Sequence, residues 1–339
     1  MSSGVDLVAA YLRLLANRVT PNSLNRLHVL MENRMTPEEF FRLGTTLPPV
    51  PGKGARTLEA FLTRVNKRLP AGIAKALRHA RRTWPRKWQG VLTNADLLDR
   101  AHQWHRLLSG YIAFAGKPMP EPFIRHRINS EAAIYVGPGE PAQKTLTLAF
   151  AGAAQRLMMP IPCVLQHLDA TQTDIVLFRD PRRLGFRQGI GPLGTDLYGS
   201  IEKLAGLIPM RQYRRVVTLG TSAGGLPAVI TGLMIGAAAA TSVGGNGPND
   251  PRWKGLGARP VADHLRDLRA STGAATKVVH VFSEGFERDE SRAKDLFELV
   301  GGSLYPVPHP GEPPGHGVIH PLSRQGKLAA FFNETLYAE

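Results

Sequence analysis

Beyond about residue 140 the chain alternates short apolar runs with helical ones, and this alternation restricts its fold more than any other feature. Residues 145–150, 173–178, 215–219, 238–243 and 277–282 read as strands, and 196–208, 225–235, 261–270 and 291–300 read as helices. Parallel neighbours need a long crossover to return the chain to the same edge, and a helix supplies it. The pattern therefore predicts an α/β fold with a doubly wound, mostly parallel sheet, whose ligands sit at the carboxyl ends of the strands. Residues 126–339 read as this α/β domain and residues 1–125 as an all-helical basic one. With 43% hydrophobic residues in 339, a buried core is well supplied.

At the carboxyl end of the third run stands Gly220-Thr221-Ser222-Ala223-Gly224, followed by a small apolar helix-like stretch. That context predicts a nucleophile elbow, a tight strand-to-helix turn that lifts a serine hydroxyl above the sheet. Glycines flank Ser222 because the turn is strained and the helix passes close to the strand.

A serine hydroxyl is a poor nucleophile at neutral pH unless a histidine takes its proton and a carboxylate orients that histidine. In such a sheet the acid follows a late strand and the histidine sits on the last long loop. Strand 277–282 runs into Ser283-Glu284-Gly285-Phe286-Glu287-Arg288-Asp289-Glu290, which offers four carboxylates. Asp289 suits the role best, a loop's length beyond the strand and just before the helix expected near Ser291; Glu284 and Glu287 compete with it. Downstream, Pro313-Pro314-Gly315-His316-Gly317-Val318-Ile319-His320 places His316 between glycines, where packing requires no bulky ring. His316 is the expected base. His309 and His320 are weaker candidates, because His320 already falls on the apolar run that opens the last helix.

The oxyanion formed on attack needs two backbone N–H donors, one from the residue after the nucleophile and one from the loop after an early strand. Ala223 is the first. The segment Ala149-Phe150-Ala151-Gly152-Ala153-Ala154-Gln155-Arg156 supplies the second, with Ala153 as donor and Gly152 beside it leaving room for substrate. Arg156 offers a cation to an anionic part of a substrate, or is an ordinary surface arginine.

On the strand, the elbow, Asp289 and Gly315-His316-Gly317, residues from about 130 to 335 resemble the α/β-hydrolase-fold serine hydrolases. The resemblance implies acyl-enzyme chemistry on an ester, thioester or amide, with a small-molecule or glycan acyl substrate and no cofactor. An acyltransferase would use the same three residues. The Ala-Gly-Ala turn in place of the His-Gly of common lipases, together with a helical N-terminal extension, resembles bacterial hydrolases of surface-polysaccharide gene clusters.

Other readings of this half are weaker. Gly189-Ile190-Gly191-Pro192-Leu193-Gly194 has the spacing of a dinucleotide loop, but Pro192 lacks the N–H a phosphate wants and no ribose-binding acid follows. It reads as a glycine-rich loop near the mouth of the site. The histidines and acids lack metal-ligand spacing, and Cys163, the only cysteine, rules out an intramolecular disulfide. Residues 226–243 carry no charge over about a bilayer's thickness, yet their small residues and Pro227 predict a buried helix running into a buried strand rather than a transmembrane segment. The opening Met-Ser-Ser-Gly-Val-Asp lacks the basic and apolar regions of a secretory signal, which predicts a cytoplasmic protein.

The net charge of +15 is unevenly placed, for residues 1–125 hold 20 basic against 8 acidic residues and the remainder 22 against 19. Val5, Val8, Leu12 and Leu15 recur at helical spacing, and Thr36-Pro37-Glu38-Glu39 reads as a capped helix start. With Gly52-Lys53-Gly54-Ala55 following, residues of about 18 to 68 resemble the C-terminal domain of the bacterial RNA polymerase α subunit and related helix-hairpin-helix modules. That resemblance implies a glycine turn whose amides approach a DNA phosphate. Nine basic residues between Arg64 and Lys87, interleaved with Trp84 and Trp88, suit an anionic partner such as nucleic acid, an acidic protein or a glycan. They equally suit a solvated helix face whose tryptophans dock on the neighbouring domain. The rival to an enzyme is thus a binding protein with an inert hydrolase-like domain.

Overall fold

Each apolar run of the sheet can satisfy its backbone only by pairing with another, and the chain supplies the partners in sequence. A computed structural model describes residues 6–15, 21–49, 94–113, 123–253, 260–272, 275–311 and 313–338. The chain divides into two compact units, Val5–Gly110 and Tyr111–Glu339.

The smaller unit contains helices α1 (Leu7–Leu15), α2 (Pro21–Glu32), α3 (Pro37–Thr46) and α4 (Asn94–Ala113). α1 buries Leu7, Val8, Tyr11 and Leu15, so its apolar face is centred on Tyr11 rather than on Leu12, which is half-buried. α3 starts at the expected place: Thr36 Oγ1 accepts from the Glu39 N–H at 3.2 Å, and the Glu39 carboxylate accepts from the Thr36 N–H at 2.9 Å. Between the helices the ring of Trp104 stacks on His28 with centroids 4.3 Å apart and donates its N–H to Glu32. The Tyr11 hydroxyl meets His28 Nε2 at 2.9 Å. Burial pushes His28 down to about 4 and raises the Tyr11 phenol. The Gly52-Lys53-Gly54 turn and the basic run with its two tryptophans lie outside the described residues.

The larger unit carries β1 (Ile124–Arg127), β2 (Ala132–Val136), β3 (Thr145–Phe150), β4 (Thr173–Phe178), β5 (Arg215–Thr221), β6 (Ala239–Val243), β7 (Lys277–Ser283) and β8 (Ser303–Val307). Its helices are α5 (Ile161–Leu165), α6 (Leu197–Leu207), α7 (Gly225–Met234), α8 (Val261–Thr272), α9 (Glu287–Val300), α10 (Ile319–Arg324) and α11 (Leu328–Phe332). The strands form one sheet in the order β1-β2-β4-β3-β5-β6-β7-β8. β1 and β2 are antiparallel, and every pairing from β4 to β8 is parallel. This is the α/β-hydrolase arrangement. The chain steps outward from β3 to β4 and then crosses back to β5, so a crevice opens at the carboxyl ends of β3 and β5.

One core fills the space between the sheet and α6, α7 and α8, built from Leu146, Leu148, Phe150, Leu226, Val229 and Leu265 among others. The uncharged stretch 226–243 is α7 followed by β6, both buried. Among the described residues no helix is long and apolar enough to cross a membrane. Most expected limits shift by two residues or fewer, and two features differ more. α9 begins at Glu287, four residues before the expected start, and residues 303–307 form a strand although they contain Pro306. β8 is the outermost strand, where a missing N–H is tolerated because one side has no neighbour to receive it.

At the amino ends of β3 and β4, opposite the crevice, lies a buried ion pair. Lys144 Nζ donates to Asp174 Oδ1 at 2.7 Å and to the Gly137 carbonyl at 2.9 Å. Asp174 also accepts from the Gly137 N–H and the Tyr213 hydroxyl, so neither charge wants for partners. Lys144→Met leaves Asp174 buried without its cation and is expected to cost about 3 kcal/mol or more, read from the urea midpoint. His28 supplies a second prediction. Its folded value, about 4, lies below the ordinary 6.5, so its contribution to stability is complete above pH 6.5 and is lost as the pH falls toward 4. Midpoints of the helical unit's unfolding should fall across that window, and His28→Leu should flatten the slope.

Candidate active site

β5 delivers the chain to a turn that only small residues can make. Ser222 sits at φ 53°, in the left-handed region that costs a non-glycine residue of order 1 kcal/mol. A Cβ on Gly220 would fall on the Gly224 carbonyl, and one on Gly224 would fall on the Phe150 carbonyl of β3. A Cβ on Gly152 would stand 3.2 Å from that of Ser222. The loop after β3 is therefore pressed directly against the serine.

The structure brings Ser222, His316 and Asp289 into one hydrogen-bonded line. His316 Nε2 is 2.8 Å from Ser222 Oγ, and its Nδ1 is 2.6 Å from Asp289 Oδ2. This geometry suits an imidazole that carries its proton on Nδ1 and accepts the serine proton at Nε2. The Asp289 side chain is fully buried while a third of His316 is exposed, so the ring is open to a ligand on one side. Asp289 belongs to the first turn of α9 rather than to the loop before it, and the positive end of the helix dipole complements its charge. Glu284 and Glu287 point into solvent and do not reach the histidine.

The other two histidines of this region have different partners. His309 Nε2 meets the hydroxyl of Ser283 at 2.6 Å, and that hydroxyl also accepts from the Gly315 N–H at 3.3 Å, which steadies the loop carrying His316. His320 is bonded to the Met158 carbonyl; burial pushes it down, and the positive charges of Arg324 and Arg156 push the same way.

In the loop after β3, the Gly152 N–H donates to the Arg156 carbonyl at 3.0 Å, and the Gln155 N–H returns to Gly152 O at 2.8 Å. Gln155 at φ 64° closes this turn and anchors it to the Asp180 carbonyl at 2.6 Å. Ala153 is exposed at its tip. Ala223 lies in the short 3-10 turn Ser222–Gly224 that leads into α7, where the first N–H groups have no helical acceptor. Arg156 accepts through its carbonyl from Gly152 and, at 3.4 Å, from Thr221 Oγ1.

In the glycine-rich loop three amides already have acceptors: the Ile190 N–H donates to Ser200 Oγ, that of Gly189 to Phe186 O and that of Leu193 to Ile190 O, so these three do not face a phosphate. Among the described residues no group of histidine, cysteine and acidic side chains could hold a metal ion.

No protein-family model and no curated protein matches the chain. Solved structures do. An esterase from Pyrobaculum calidifontis is 14% identical, over 71% of this chain and 93% of its own, at a TM-score of 0.41. A predicted CIB-like hydrolase from Thermoplasma acidophilum is 15% identical over 64% and 100%, at 0.42. A dienelactone hydrolase from Anabaena variabilis is 16% identical over 64% and 98%, at 0.41. What the site can do is read from its own geometry.

The turn after β6 escaped sequence reading. Asn246 donates its backbone N–H to the Ser222 carbonyl at 3.1 Å and so braces the elbow from the end of β6. Gly244, at φ 53° and within 3.4 Å of His316 and Asp289 at its Cβ position, lies on the same turn. The run Gly244-Gly245-Asn246-Gly247 at a strand's carboxyl end was the available signal.

Gly224→Ala forces a methyl group into the Phe150 carbonyl and is expected to destabilise the protein by about 2 kcal/mol. Gly206→Ala, inside α6 with nothing within 4 Å, is expected to be neutral or to stabilise by up to about 1 kcal/mol. Paired thermal melts check both.

Proposed function

We propose that the protein is a serine hydrolase of esterase or thioesterase type that works through an acyl-enzyme on Ser222. The observation that carries this reading is the continuous line from Asp289 through His316 to Ser222 Oγ, with contacts of 2.6 and 2.8 Å. His316 takes the serine proton at Nε2 as Oγ attacks the acyl carbonyl. Asp289 holds the ring in the required tautomer and stabilises the imidazolium that forms. The N–H groups of Ala153 and Ala223 receive the oxyanion, and the amino end of α7 adds its dipole. His316 then passes its proton to the leaving group, and water attacks the acyl-enzyme by the reverse sequence. Gly152 leaves space beside the carbonyl, and Arg156 contributes positive charge at the rim for an anionic part of the substrate.

Covalent labelling by a fluorophosphonate tests the reading. Wild-type protein should take up one equivalent and Ser222→Ala none. His316→Ala should slow labelling by about a thousandfold or more. Wild-type protein that stays unlabelled and fails to hydrolyse p-nitrophenyl acetate overturns it. Product analysis with and without an acceptor alcohol separates hydrolysis from acyl transfer.

A further inference from the structure

Asp289 Oδ2 is occupied by His316, but its other oxygen faces a polar chain that leads back to the elbow by another route. Arg292, one turn further along α9, holds Nη1 3.9 Å from Asp289 Oδ1 and 3.1 Å from Asn246 Oδ1. Its aliphatic stem packs on Gly247, where a Cβ would meet it at 3.4 Å. Asn246 is buried and its amide can point only one way. Its Nδ2 donates to the carboxylate of Asp250, which is itself gripped by Arg252 at 3.0 and 2.6 Å, so Oδ1 is left to accept from Arg292. The backbone N–H of the same asparagine holds the Ser222 carbonyl. The buried acid and the strained elbow, 67 residues apart in sequence, are thus tied by one guanidinium and one amide.

We propose that Arg292 is a positioning residue, which rests on the function proposed above: it joins Asp289 to Asn246 and draws the carboxylate's charge toward Oδ1, away from the oxygen that faces His316. Two consequences follow from charge and geometry. Without the guanidinium the carboxylate presents more negative charge to the ring, and the imidazolium keeps its proton to higher pH. Without the link, the elbow and the acid lose their common brace. Arg288 also donates to Asp289 Oδ1, and the remaining charged or titratable groups around Asp289 are engaged elsewhere or exposed. Glu290 pairs with Lys294, Asp250 with Arg252 and His309 with Ser283, while Glu287 is exposed. Arg288, with Nε 3.4 Å from Oδ1, is 55% exposed against 35% for Arg292, so water screens its charge more.

The test is the pH profile of kcat/KM for p-nitrophenyl acetate in the full chain, with folding checked by thermal melting. Arg292→Gln and Arg292→Met should each move the acid limb upward by roughly half a pH unit or more and lower kcat/KM at pH 7 about tenfold. Arg292→Lys, which keeps the charge, should leave the limb in place. Asn246→Leu should lower the rate without moving the limb, because it breaks the brace and spares the charge. An unmoved limb in both neutral variants, with fluorophosphonate labelling still dependent on Ser222, overturns the role of Arg292 and leaves the hydrolase reading standing. A limb that moves equally in Arg292→Lys overturns it too, since packing would then be the cause. Wild-type protein that takes no label overturns the hydrolase reading and this role with it.

Discussion

Three backbone segments meet at Ser222 with no room for a side chain between them. The carbonyl of Phe150 at the end of β3 occupies the space above Gly224, the carbonyl of Gly224 occupies the space above Gly220, and Gly152 lies against the serine's own Cβ. Any larger residue would push β3 and β5 apart at the point where the strand order reverses. The turn also holds Ser222 at a positive φ, a strain that persists because β5, α7 and the Asn246 contact all resist its release. The line to His316 and Asp289 depends on this close approach, because it sets where the hydroxyl stands relative to the loop after β8.

Charge is handled in opposite ways at the two ends of the sheet. At the amino ends of β3 and β4, Lys144 and Asp174 are both buried, and hydrogen bonds from Gly137 and Tyr213 complete their shell. Both charges of this pair are fully buried. At the carboxyl ends Asp289 is equally buried, but its partner His316 is a third exposed and its remaining oxygen faces arginines. A buried acid under a partly exposed imidazole is a polarised pair with one open side. That asymmetry, rather than the number of charges, separates the end that carries the candidate site from the other.

How much the sequence revealed depended on whether local rules or distant contacts decided a feature. The runs 145–150 and 173–178 became strands with those same limits, because each is a short, mostly apolar run buried on both faces of the sheet. The Thr36 cap was legible for the same reason, since it involves four consecutive residues. β1, β2 and β8 were not legible. β1 reads Ile-Arg-His-Arg and β8 contains a proline, so their pairing comes from the sheet edges they extend and not from their own propensity. Among the acids after β7, composition left Asp289, Glu284 and Glu287 open; only the helical turn starting at Glu287 aims Asp289 inward and Glu287 outward, while Glu284 is exposed in the turn before it.

By itself the sequence determined the alternation of strands and helices, the glycines that a serine turn demands, and the order in which serine, acid and histidine follow one another. These are matters of period, volume and chain order, and neighbours in sequence carry them. Tertiary structure alone decided that Asn246 and Arg292 stand between the acid and the elbow, that the amides of Gly189 and Ile190 are already bonded, and that His309 steadies a loop while His316 faces the serine. Each of those outcomes rests on a contact between residues on separate elements, made once the parallel sheet brings the carboxyl ends of its strands together.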